Sequence, residues 1–158
     1  MKLFDAMNQQ VTMELESAYI YRQMASWCVD QEMPGMAHFM EKQAEEEVEH
    51  ANRFAHFLQE VGHAVTYLPI DPGKKDFSGF LDVFEKALRH EQKVTKSIRD
   101  LAELAAKEKE RRATSILQSF IDEQVEEEAN FSALVTRLKR IDGSWSGLYL
   151  LDSELARR

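Results

Sequence analysis

Glu47 and His50 stand three positions apart in the stretch QAEEEVEHANRF, residues 43–54. On an α-helix that spacing puts a carboxylate and an imidazole on one face, where both reach a single cation. Such a pair is common on solvated helix surfaces, so the rest of the chain decides its meaning. A line in steps of three and four runs Phe4, Met7, Val11, Glu14, Ala18, Tyr21, Ala25, Cys28, with one carboxylate at its middle. The row Met33, Met40, Glu47, Phe54, Val61 repeats the arrangement. A third line contains Phe84, Leu88, Glu91, Thr95 and Ile98, and a fourth contains Leu117, Phe120, Gln124, Glu127, Phe131 and Leu134. A lone buried carboxylate tends to stay protonated. Four that converge repel one another unless cations lie among them. An oxygen-rich set with one imidazole suits iron or manganese better than copper, and it lacks the soft sulfur of tight zinc sites. The chemistry expected is metal-centred rather than acid–base work on an organic substrate.

Four long helices must carry these lines. Glycine and proline are scarce, and they fall at Pro34-Gly35, in the run from Gly62 to Gly73, and at Gly143 and Gly147. The stretches between them are rich in good helix formers. The spacing predicts helices over about 3–31, 34–62, 78–106 and 109–141, and a short fifth over about 145–156. Pro34 suits a first-turn position, and Gly62 and Gly143 suit helix stops. Only the junction near 109 lacks a glycine or proline. The connection HAVTYLPIDPGKKDF, between the second and third helices, can reach about 50 Å when extended, whereas a helix of that size is about 43 Å long. It can therefore cross the whole molecule and make those two helices parallel. The fold class expected is all-α: one domain, a four-helix bundle with a single long crossover, plus a short C-terminal helix. In such a bundle Glu14, Glu47, His50, Glu91 and Glu127 fall in one central slab.

Bulk properties narrow the function. A chain of 158 residues suits a single core. A net charge of −8 disfavours binding to nucleic acid, which requires basic patches. No apolar run approaches a membrane span, and the opening MKLFDAMNQQ lacks the apolar stretch of a signal peptide, so the cytoplasm is the expected compartment. Cys28 is the single cysteine, which excludes an intrachain disulfide and cysteine-based metal sites.

The segments NQQVTMELESAYIYRQMASWC, MAHFMEKQAEEEVEH, KALRHEQKVT, SFIDEQVEEEANF and GLYLLDSEL carry a resemblance. In order and spacing the chain resembles a non-haem bacterial-type ferritin over nearly its full length. The resemblance implies a ferritin-like bundle holding a di-iron ferroxidase centre, which oxidises Fe(II) with O2 or peroxide. One iron would be held by Glu14, Glu47 and His50. The second would be held by Glu91 and Glu127, with Glu47 bridging and Gln124 nearby. Tyr21 matches a tyrosine beside the centre. A third iron site would use Glu46, Glu123 and Glu126, with Glu127. The resemblance also implies a homo-oligomeric shell of 24 subunits storing ferric mineral.

Two departures sharpen this reading. A second E-x-x-H would end at Asn130, which is not histidine, so the second iron is poorer in ligands. The position where a related family places a haem methionine is Val48, so no haem is expected. The nearest alternatives are a bacterioferritin- or rubrerythrin-like oxidoreductase and a helical scaffold with structural metals. Among the other polar residues, His90 is expected in polar packing between helices, and His38, His56 and His63 at the surface. Glu45 and Glu49 lie off the apolar line and are expected in solvent. The fifth helix, apolar at Leu148, Leu150, Leu151 and Leu155, docks on its own bundle or on another subunit; the resemblance favours the latter.

Overall fold

The structure, a computed structural model, describes residues 1–158. Five α-helices follow one another without a strand: α1 (Leu3–Asp30), α2 (Pro34–Glu60), α3 (Phe80–Glu108), α4 (Thr114–Ile141) and α5 (Trp145–Leu155). Each boundary falls within a few residues of its expected place except the start of α4, which is preceded by a 3-10 turn at Arg111–Ala113. None of the helices is long and apolar enough to cross a membrane.

Local chemistry explains the stops. Pro34 opens α2, where its missing N–H is not needed. The end of α1 is closed by the bond from Met33 N to Cys28 O, with Glu32 in the left-handed region at φ 57°. At the end of α3, Lys109 adopts the same conformation, also at φ 57°, while Glu110 N reaches back to Ala105 O. Both are closures that usually employ glycine. The tight turn at Lys109 lets α3 fold back on α4 with no glycine or proline at the junction.

Side-chain contacts fix the topology. Tyr21 and Glu91, Ser17 and His90, and Gln10 and Ser97 pair α1 antiparallel with α3. Gln43 with Glu127 and Arg53 with Ser119 pair α2 antiparallel with α4. Phe4 packs on Phe57, so α1 and α2 are antiparallel too, and α2 and α3 therefore run parallel, as the long crossover requires. The crossover climbs the flank of α1. Asn8 donates to Thr66 O and accepts from Thr66 N, both at 2.9 Å. Further along, Asp71 N donates to Glu16, Gly73 sits against Ile20, and Phe77 packs edge-on against Trp27.

The core is split in two. One apolar cluster includes Met24, Cys28, Met36, Met40, Phe84 and Phe131; the other includes Met7, Val11, Phe54, Leu58, Ile98 and Phe120. Between them lies a polar layer. α5 seals the first cluster with Leu148, Leu151 and Leu155. It is also tied to α2, because Asp152 Oδ1 accepts from Met36 N at 2.7 Å and so satisfies an orphan donor of that helix's first turn.

Candidate metal centre

The layer between the two apolar clusters holds the carboxylates that interrupt the apolar lines. Glu14, Glu47 and Glu91 are each 1–2% exposed, the same as the methionines above and below them. His50 is buried beside Glu47, with Nδ1 3.3 Å from Glu47 Oε2. Ligand atoms of Glu14, Glu47 and His50 all lie within 4.8 Å of one another. One ion can be reached by all three after small side-chain adjustments. Glu91 and Glu127 face the same space from α3 and α4, near enough that each raises the charge cost of its neighbours.

Every carboxylate is held by a donor from another residue. Gln10 donates to Glu14 Oε1 at 2.8 Å, and its own oxygen accepts from Ser97 at 2.5 Å, which orients the amide. Tyr21 donates its hydroxyl to Glu91 Oε1 while stacking on Phe131. Gln124 donates to Glu91 Oε2 at 3.0 Å, and Gln43 donates to Glu127 Oε2 at 2.8 Å. Within this layer Glu14 Oε2 is fully buried and has no hydrogen-bond donor. Buried oxygens without donors are rare, and a cation is one remedy.

Electrostatics point the same way. Burial, and then the Glu47 charge, hold the Glu14 pKa well above the carboxylate range. Burial and Glu91 do the same to Glu47. Glu91 is raised by burial, against the hydrogen bonds from Tyr21 and Gln124. Glu127 is raised to about 7, by burial and by Glu91. The Tyr21 hydroxyl is raised by burial and by Glu91, so it stays protonated and donates. The metal-free layer therefore favours protons where a loaded one would favour cations.

The residues expected at a third site are arranged differently. Glu123 is gripped by Arg53, whose Nη1 lies 2.8 Å from both carboxylate oxygens and whose guanidinium rests on Phe120 at 4.1 Å. Glu123 also stands 3.4 Å from His50 Nε2, which keeps it at the edge of the layer. Glu46 pairs with Arg158 at 2.9 Å. Glu126 is exposed. Glu45 pairs with Lys42 in solvent. His90 packs between helices as expected: Ser17 donates to Met13 O, so His90 Nε2–H donates to Ser17 across 2.7 Å. Burial pushes its pKa down to about 4, with a smaller effect of Lys93. His56 is exposed beside Glu60, whereas His63 is half-buried beside Asp5, and His38 is half-buried with Nε2 2.7 Å from Arg158 O. Sequence reasoning passed over Gln10, Gln43, Arg53 and Arg158. Gln10 and Gln43 each precede a buried glutamate by four residues, a spacing that could have marked them.

A family model described as "Ferritin-like domain" matches residues 4–141. A bacterial non-heme ferritin of Staphylococcus saprophyticus is 38% identical over 157 residues, covering 99% of this chain and 94% of that protein. Another, of Campylobacter jejuni, is 36% identical, covering 92% of this chain and 87% of its own. Among solved structures, an open pore ferritin from Archaeoglobus fulgidus superposes with a TM-score of 0.97 at 35% identity, covering 99% of this chain and 95% of that one.

Proposed function

The chain belongs to the ferritin family, and from that premise we propose that it oxidises Fe(II) at a centre inside each subunit and stores the ferric product within a protein shell. One observation carries the site assignment: Glu14, Glu47 and His50 cluster in a buried layer that Glu91 and Glu127 enter from α3 and α4, and Glu14 Oε2 there has no hydrogen-bond donor. In this reading Fe(II) is the substrate. Glu14, Glu47 and His50 bind one ion, Glu91 and Glu127 the other, and Glu47 bridges. The carboxylates surrender their protons as the ions enter, and their anionic oxygens favour the higher charge of Fe(III). Each iron loses one electron, and O2 or peroxide accepts the pair. Tyr21 and Gln124 hold Glu91 in place. Glu46, Glu123 and Glu126 form an accessory site along which iron leaves, and this requires Arg53 and Arg158 to yield their carboxylates.

The second iron has no histidine, because Asn130 stands where one would complete another E-x-x-H. Weaker ligation lets the product move on to mineral instead of remaining as a fixed cofactor. The shell of 24 subunits and the cytoplasmic setting are part of the same proposal. The test is to replace Glu47 with Ala and follow anaerobic Fe(II) loading, then its oxidation on adding oxygen. Loss of at least ten-fold in the initial rate is expected, about the effect of losing one strong ligand interaction. An unchanged rate would sink the assignment.

A further inference from the structure

Arg158, beyond the last turn of α5, reaches over the α2–α4 face where Glu127 approaches the surface. Its Nη1 donates to Gln43 Oε1 at 2.8 Å and to Phe39 O at 3.3 Å. Its Nη2 lies 2.9 Å from Glu46 Oε1, and its guanidinium rests on the Phe39 ring at 4.5 Å. The Arg158 carbonyl is itself held, 2.7 Å from His38 Nε2. Gln43 is buried, and its other end donates to Glu127 Oε2. A cleft of about 410 Å³ lined by Phe39, Gln43, Glu127, Asn130 and Arg158 connects these groups to solvent.

A guanidinium only donates, so the Gln43 oxygen must face Arg158 and the Gln43 NH2 must face Glu127. Turning the amide over would set donor against donor. We propose that Arg158 is a positioning residue for the second iron: through Gln43 it commits Glu127 Oε2 to a hydrogen bond, biases Glu127 toward ligation by one oxygen, and so keeps that iron exchangeable. The contrast with the other ligands supports this. Glu14 and Glu91 are oriented from within the bundle by Gln10, Tyr21 and Gln124. Glu127 is oriented by Gln43, which is locked from the surface and also favours the charged form of Glu47. The positive charge of Arg158 repels a cation at Glu127, although it also lowers the Glu127 pKa and so favours the carboxylate that a cation needs. With the titration held near pH 8, above the Glu127 pKa of about 7, losing Arg158 tightens the second site.

The inference rests on the two-iron reading above, and the experiment separates the two. The metal-free protein is titrated anaerobically with Co(II), followed by calorimetry and by visible absorption, which reports coordination. The wild type should take two ions per subunit with unequal affinity. Arg158→Met keeps a long stem on Phe39 and removes every donor. It should tighten the weaker site about five-fold, the size of one ordinary net hydrogen bond, and change the tighter site less. Arg158→Lys still presents only donors to Gln43 and should restore the wild-type ratio of affinities. Gln43→Leu should reproduce Arg158→Met. Recovery of oxidation capacity after a first saturating Fe(II) addition should slow in Arg158→Met by a similar factor. If the wild type binds no ion pair, the two-iron reading fails. If it binds the pair but Arg158→Met leaves both affinities as they were, or Arg158→Lys behaves like Arg158→Met, the Arg158 proposal alone is overturned.

Discussion

At the level of single residues, the cost of the metal-free centre is the most useful quantity. Glu47 is buried among carboxylates that raise its pKa, so Glu47→Gln removes a source of repulsion while keeping the shape. Urea unfolding of the metal-free variant near pH 8 should show a gain on the order of 1 kcal/mol, equivalent to about one pKa unit of relieved charge. The same variant should lose most of its Fe(II) oxidation rate. No gain in stability would mean that hydrogen bonds to Glu47 already offset its burial. Glu127 supplies a pH dependence. Its pKa is raised from 4.5 to about 7, so the folded metal-free chain holds this proton more tightly than the unfolded one. Its contribution favours folding fully below about 4.5 and is lost as pH rises through about 7. Metal reverses the order, because binding expels protons. Calorimetric Zn(II) titration near pH 6.5, in two buffers of different ionisation enthalpy, should show net proton release, and uptake with none would contradict the raised pKa. The principal ligands were legible in the sequence because each interrupts an apolar line, an anomaly that local pattern exposes. Arg53 and Arg158 were not legible. Each acts across helices far apart in the chain, Arg53 on Glu123 and Arg158 on Glu46, and charged residues at such positions look like ordinary surface.

Among the helices, the ends show best what the sequence reveals and what it conceals. Pro34, Gly62 and Gly143 mark boundaries because their backbones have special freedom or restriction. The α3 end at Lys109 carries no such mark, since the chain forces an ordinary residue into the left-handed region. That conformation costs roughly 1 kcal/mol for a residue with a Cβ. Lys109→Gly should therefore raise stability toward urea by about 0.5–1 kcal/mol, allowing for the extra entropy of glycine in the unfolded chain. Destabilisation would mean that Lys109 makes a compensating contact. A glycine inside α2 behaves oppositely. A Cβ on Gly35 would fall 1.9 Å from Asp152 O, so the first turn of α2 and α5 touch backbone to backbone. Gly35→Ala should push α5 away, break the Asp152 cap on Met36 N, and cost about 1–3 kcal/mol. Proteolysis should then release the α5 segment early, while cleavage confined to other sites would show that the contact gives way harmlessly. The sequence revealed Gly35 as a helix-start residue, but its role as a docking point depends on α5, more than a hundred positions later.

The whole molecule exposes apolar surface that its own bundle does not use. The inner face of α5 is buried through Leu148, Leu151, Asp152 and Leu155, yet Trp145, Tyr149 and Leu150 on the other side are 55–64% exposed. The sequence left two roles open for this helix, docking on its own bundle or on a neighbour, and the structure assigns each face separately: the inner one packs at home. A further apolar set, Tyr19, Val29, Tyr67 and Leu68, is exposed on α1 and the crossover. Large exposed aromatics and leucines of this kind mark contact surfaces, and a shell subunit must have more than one. Because every proposed iron ligand comes from a single chain, assembly and oxidation should be separable. Tyr149→Glu combined with Leu150→Glu puts two charges on the outer face of α5 without touching its buried side. Sedimentation velocity should show the wild type as a large closed particle and the double variant as smaller species, because unpaired charges oppose burial in an interface. In the same samples, rapid oxidation of the first two Fe(II) per subunit should persist, while accumulation of iron beyond the centre should fall sharply, since no cavity remains to hold mineral. Wild-type sedimentation would move the assembly contacts to α1 and the crossover. Loss of the initial oxidation together with assembly would show that the centre depends on a neighbouring subunit, contrary to a site built entirely from α1, α2, α3 and α4.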